Sequence, residues 1–364
     1  MLYYLRQLKD LFGPFRLFGY LSFRSIGAVV TAFVVALVLG PVLIHLLKRQ
    51  GARDKGRDFG GLNVISKEGT PTMGGLLILA SLFAASLLWC DLGSQHVRIV
   101  LAAALYFGAI GALDDVLKIQ RGSNERGLSR HWKYASQIAF GALVGVLFIT
   151  PSFSPYDPAV ARTLTVPIWK HGVYLGWGYM GLVVVFMVLS SNSVNIADGL
   201  DGLAIVPAML VAAVLGVFAY VVGTGDVADL LRFGHLPGSA ELTVFCCALI
   251  GAGAGFLWFN SHPASIFMGD TGSLALGGIL GTLALLTKQE VVFFIAGGIF
   301  VVEAGSSFIQ DYIGLKLLGR RLFFRAPYHH SLMHQGYSET KVTARFWILS
   351  VIFAAVALAT LKLR

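Results

Sequence analysis

Five short stretches concentrate the side chains able to do chemistry: Lys67–Gly75, Asp114–Lys118, Asn192–Asp201, Phe267–Ser273 and Pro327–His334. Together they supply carboxylates, carboxamides, ammonium groups and imidazoles, and each sits at the end of a long apolar run. Ionisable groups beside or within hydrocarbon are costly, so a set gathered on one membrane face marks a functional site. A serine nucleophile with a base and an orienting acid is not evident. Neither a Rossmann nor a haem motif is present. Lys67-Glu-Gly-Thr-Pro-Thr72 lacks the Gly-Lys-Ser/Thr order of a Walker A loop.

Asp114 and Asp115 close the third apolar run. Neighbours on a helix point about 100° apart, so the two carboxylates are not expected to face one ligand squarely. Lys118 follows at i+4 and i+3 and can neutralise either. Asn192, Asn195, Asp198 and Asp201 recur every third residue before a tight turn at Gly199 and Gly202. They offer ligands for ribose, base or metal. Asp201 could instead cap the sixth run, which explains one Asp and neither Asn. Asp270 is expected to cap the eighth run, where free N–H groups and the helix dipole favour phosphate. One carboxylate plus substrate phosphates is also how Mg²⁺ is commonly held. His329, His330 and His334 lie beside Arg320, Arg321 and Arg325. They lack the Cys or carboxylate spacing of a closed zinc site and fit hydrogen bonds to phosphate oxygens.

These groups must be positioned by membrane helices. The 364 residues are 56% hydrophobic and 13% charged, about half the charged content of a soluble domain. A span needs roughly 20 apolar residues. Ten runs qualify: 25–47, 73–90, 97–117, 134–150, 177–191, 203–222, 242–259, 272–287, 291–310 and 343–361. The expectation is one all-α integral membrane domain over 1–364, with both termini on the outer, periplasmic side. Residues 1–23 alternate aromatic and basic residues, as an interfacial helix would. The first run is too long for a cleavable signal sequence and lacks a small-residue cleavage site.

Loops 48–72, 118–133 and 310–342 hold 16 of the 28 Lys and Arg residues. Lysine- and arginine-rich loops stay inside, so the five stretches are expected to face the cytoplasm. The net charge of +9 then reflects topology and anionic ligands, and nucleic acid need not be invoked. Cys90, Cys246 and Cys247 lie in apolar runs, with no disulfide framework or zinc spacing. The residue inventory at a membrane surface fits Mg²⁺-assisted transfer of a phosphorylated group from a soluble donor to a lipid. A cation-coupled transporter is the rival from another class, but its site would lie near the midplane, often within repeated halves.

The chain resembles phospho-N-acetylmuramoyl-pentapeptide transferases nearly end to end. The likeness is carried by Tyr20–Arg24, Gly69–Gly75, Leu113–Asp115, Asn195–Leu203, Gly255–Asn260, Phe267–Gly278, Ala326–His330 and Arg345–Ile348. The resemblance implies an enzyme of the bacterial inner membrane. It would move phospho-MurNAc-pentapeptide from UDP to undecaprenyl phosphate, with Mg²⁺ as cofactor and UMP as product. By motif it makes Asp270 the metal ligand. It makes Asp114, Asp115, Lys118, Lys133, Asp270, His329 and His330 catalytically important. Lys67, Thr72, Asn195, Asp198, Phe267, Gln310 and His330 become nucleotide-contacting positions, joined on the polar ridge by Asn192 and Asp201. Ser331 stands where the family usually has a third consecutive His, and His334 follows three residues later. A sibling transferase for GlcNAc-1-phosphate is the nearest alternative. A homodimer is among the assemblies left open.

Overall fold

The computed structural model describes residues 1–52, 69–123, 126–167, 169 and 172–362. Two 3₁₀ segments, Leu2–Leu8 and Gly13–Gly19, precede helices α1 (Leu21–Arg49), α2 (Gly75–Trp89), α3 (Gln95–Gln120) and α4 (Arg130–Ile149). A short α5 (Pro158–Ala161) leads into a two-stranded antiparallel ribbon. There β1 (Thr163–Leu164) pairs with β2 (Val173–Tyr174), Thr163 opposite Tyr174. Next come α6 (Gly178–Ala197), α7 (Ile205–Gly223), α8 (Gly225–Leu230), α9 (Glu241–Asn260) and α10 (Gly269–Leu286). The chain ends with α11 (Glu290–Ala296), α12 (Gly298–Phe308), a π-helical stretch Ile309–Leu317, α13 (Tyr328–His334), α14 (Glu339–Ala359) and a 3₁₀ turn.

All ten apolar runs are helical. Among the described residues, eight helices are long and apolar enough to cross a membrane, while α2 has only 15 residues. The expected single span 291–310 is instead broken. α11 and the helix that starts at Gly298 meet at 85°. The shortest expected run, 177–191, lies in a full 20-residue helix, α6. The N-terminal stretch is two 3₁₀ turns rather than one helix.

α10 is the axis of the bundle, with 89% of its span buried against α3, α6, α2 and α7. Its Gly272, Ser273, Ala275, Gly277, Gly278 and Gly281 are small residues of the kind that let membrane helices approach closely. At the crossing with α3, a Cβ on Gly111 would lie 2.2 Å from the Asp270 carbonyl oxygen. Only glycine allows that contact, and it draws the two helices' polar ends together. α1 shows the opposite design. Ala28, Ala32, Ala36 and Gly40 form its buried stripe, and Ile26, Val30, Val34, Val38 and Val42 face outward. An apolar face of that kind suits lipid.

Since successive spans alternate in direction, the end of α3, the start of α4, the end of α6 and the start of α10 share one end of the bundle. Ion pairs staple the other end. Arg24 grips Glu241 through two bonds of 2.7 and 2.8 Å and also reaches the Trp89 carbonyl. Lys288 lies 3.5 Å from Glu290, whose carboxylate also accepts from the Tyr179 hydroxyl.

Candidate active site

Four helix ends build the centre. Lys118, from the last turns of α3, lies 2.7 Å from Asp114, 3.9 Å from Asp115 and 3.1 Å from Asp270. Lys133, from the first turn of α4, lies 3.0 Å from Asp114 and 2.5 Å from Asp270. Asn195, near the end of α6, donates to Asp270 at 3.2 Å and to the Ser273 hydroxyl at 2.8 Å. The three carboxylates bring oxygens within 4.8 Å of one another, and Asp114 and Asp115 are buried. Despite the 100° offset expected of adjacent positions, both aspartates reach the same centre, because α10 crosses α3 at this turn.

Asp270 does not cap α10. It is the second residue of the helix, and the cap comes from α3. Asp115 accepts from the Asp270 amide at 3.1 Å, the Thr271 amide at 2.9 Å and the Thr271 hydroxyl at 2.6 Å. Two of the four orphan donors of the first turn are thereby satisfied, and both Asp270 oxygens are left to Lys118, Lys133 and Asn195. Gly269 makes the arrangement possible. Its φ is +70°, and a Cβ there would sit 2.6 Å from the Asp115 carboxylate. Asp114 has a further task, accepting from the Leu128 amide at 2.6 Å and so holding the α3–α4 loop.

The other expected positions divide. The Thr72 hydroxyl and the Met73 amide border Gly269. Phe267 is tied through its backbone to Pro71 and Gly74, both at 2.8 Å, which aligns the Thr72 segment with the start of α10. Asp198 ends α6. Asn192 turns to α4 and donates to Gln137 at 2.6 Å, away from Asp270. Asp201 does not cap the following helix, which begins at Ile205. Its carboxylate instead takes His262 at 3.0 Å and the Ala264 amide at 3.2 Å, and its own amide donates to Glu339. Lys67 lies outside the described residues.

The histidine stretch forms α13. His329 is buried, and its Nδ1 and backbone amide meet Glu303 of α12 at 2.8 and 3.2 Å. The His330 ring lies against it, tilted by 52°, with ring centroids 4.1 Å apart. His330 also lines a cleft of about 360 Å³ with Gln310, Asp311, Arg321 and Arg325. Gln310 accepts from the Leu322 and Phe323 amides at 3.1 and 3.0 Å, which shapes that cleft. The Ser331 hydroxyl accepts from the Arg325 amide at 3.4 Å. His334 is exposed, with its ring against Phe324. Glu303 escaped the sequence reading, while Thr271 and Ser273 lay in the Phe267–Ser273 stretch without a role of their own. Glu303 left a signal there as a lone acid in the apolar run 291–310.

Carboxylates, lysines and a carboxamide thus converge at one end of a bundle of helices long and apolar enough to cross a membrane. The family model for Glycosyl transferase family 4 matches residues 97–288, more than half of the chain, and the chain belongs to this family. Within it, residues 67–79 match the phospho-N-acetylmuramoyl-pentapeptide-transferase signature 1, which places the chain in that branch, among the transferases of peptidoglycan synthesis.

Proposed function

We propose that this chain transfers phospho-MurNAc-pentapeptide from UDP-MurNAc-pentapeptide to undecaprenyl phosphate, giving lipid I and UMP. The reaction would run on the cytoplasmic face of the bacterial inner membrane. The observation that carries this reading is the grip of Lys118 and Lys133 on Asp270 at a helix start. Lysine and arginine bias supports the cytoplasmic assignment of that end.

The donor set suits Mg²⁺. All three carboxylates are hard oxygen ligands, and three of them face two ammonium groups in the cluster. Asp115 spends both oxygens on the start of α10, so Asp270 is the carboxylate best placed to hold the ion, with Asp114 beside it. Bound there, Mg²⁺ would neutralise charge on the donor's pyrophosphate.

The residues of the chain then have separate tasks. Lys118 and Lys133 exchange carboxylate partners for phosphate oxygens and stabilise charge as it develops. Asn195 holds Asp270 in orientation. Arg321, Arg325 and His330 present donors to the nucleotide side of the cleft. An oxygen of the lipid phosphate forms a bond to the phosphorus that carries the sugar. The bridging P–O bond breaks, and its electron pair leaves with UMP. A phosphate monoester has its second pKa near 6, so the attacking group is already mostly dianionic at neutral pH. Direct attack therefore needs no obligatory general base.

The purified full chain should release UMP from UDP-MurNAc-pentapeptide and undecaprenyl phosphate. UDP-GlcNAc with the same lipid should give little. Preference for UDP-GlcNAc would move the chain to the sibling activity.

A further inference from the structure

We propose that Glu303 is a positioning residue that fixes the His329 ring with Nδ1 protonated and packs its Nε2 edge on the Asp198–Gly199 turn, so that α13 holds the end of α6 in place. The assignment deepens the histidine-loop part of the proposed function and rests on it.

Glu303 and His329 are both fully enclosed, at 0% and 1% exposure. One carboxylate holds two atoms of the same residue, Oε2 taking Nδ1 at 2.8 Å and Oε1 the backbone amide at 3.2 Å. That double grip sets the start of α13 and the ring plane together. An ionised carboxylate only accepts hydrogen bonds, so Nδ1 must carry the proton. Nε2 is left as the atom free to serve elsewhere, and it has no hydrogen-bond partner among the described residues. A buried polar atom without a partner is rare enough to require an explanation. The Glu303 grip supplies one, because the bond to Nδ1 leaves Nε2 against the turn.

The direction in which Nε2 points is equally specific. A Cβ on Gly199 would come within 2.2 Å of it, so the ring edge presses on the turn that follows Asp198. α6, which ends at that turn, also carries Asn195 and its bond to Asp270. Nε2 is therefore aimed from α13 toward the polypeptide turn shared with the carboxylate–lysine centre. Carboxylate partners orient and tune histidines in the same way at metal sites.

The test combines a spectroscopic and a kinetic reading on the full chain. In the unliganded protein, ¹⁵N shifts of His329 in a histidine-labelled sample, assigned by its loss in His329→Ala, should show a protonated Nδ1. A bare Nδ1 with protonated Nε2 overturns the proposal without reference to activity. Glu303→Gln should keep its unfolding temperature near wild type and lower kcat by about 10-fold or more, the scale of one charge-assisted hydrogen bond. In a His329→Ala background the same change should cost nothing further. Losses that multiply would mean that Glu303 acts independently of His329, and they overturn the proposal. Full activity of His329→Ala would instead sink the histidine-loop reading on which it rests. The two failures are thus distinguishable.

Discussion

The Asp115 carboxylate on α3 caps the first turn of α10 through the amide and hydroxyl of Thr271, at 2.9 and 2.6 Å. One of the two adjacent aspartates is therefore an architectural part that sets the position of Asp270. Asp115→Ala strips the cap from the first turn, and a lost cap costs about 1–2 kcal/mol. We expect a lower thermal unfolding midpoint in detergent together with a loss of turnover. Asp115→Asn, with one acceptor oxygen in place of two, should fall between Ala and wild type in stability. Unchanged unfolding of Asp115→Ala would remove the cap from the account.

The histidine loop should separate by contact. His330 lines the cleft with Arg321 and Arg325. His330→Ala should slow UMP release about 10- to 150-fold if it removes one charge-assisted bond made in the transition state. Ser331 only holds the Arg325 amide, and Ser331→Ala should stay within a few-fold. His334 is exposed and rests on Phe324, so His334→Ala should be near wild type. A loss for His334→Ala matching that of His330→Ala would mean that the third imidazole's role has moved along the chain.

Buried Arg24 and half-buried Glu241 form an ion pair at the end of the bundle opposite Asp270. Removing one partner strands the other charge, which typically costs about 3–5 kcal/mol. Arg24→Met should sharply reduce stability and yield, while the folded fraction keeps its KM and kcat. The paired change Arg24→Met with Glu241→Leu should recover stability. A kcat defect in folded Arg24→Met would show that this end is coupled to the chemistry.

Burial lowers the pKa of the Lys288 ammonium to about 8 from 10.5, against an opposing pull from Glu290. Between those values the unfolded chain holds a proton that the folded chain has released. Stability therefore rises with pH through about 8 to 10.5 from this group. Thermal unfolding across that window should show the rise in wild type and a weaker one in Lys288→Met. Identical pH slopes would contradict it.

Sequence patterning carried the helices well, because a membrane span is set by length and apolarity alone. It could not locate the break at Gly297, since glycine within an apolar run is compatible with a straight span. Asp114, Lys118, Lys133, Asn195 and Asp270 were legible as chemistry. Which carboxylate caps and which faces the lysines was not, because the cap crosses from α3 to α10, 156 residues apart. Asp201 shows the same limit. Its spacing placed it on the polar ridge, but its partners His262 and Glu339 come from the loop after α9 and from the start of α14.

The central claim is that Asp270, held by Lys118, Lys133 and Asn195, is where the phospho-sugar changes hands. The most direct measurement is UMP release by purified Asp270→Asn beside wild type, with UDP-MurNAc-pentapeptide, undecaprenyl phosphate and a Mg²⁺ titration. Wild type should need the lipid and Mg²⁺ together. Asp270→Asn should remain folded, because Asp115 supplies the cap of α10, and should release no UMP at any Mg²⁺ concentration. Near-normal release by Asp270→Asn with an unchanged Mg²⁺ dependence would contradict the account.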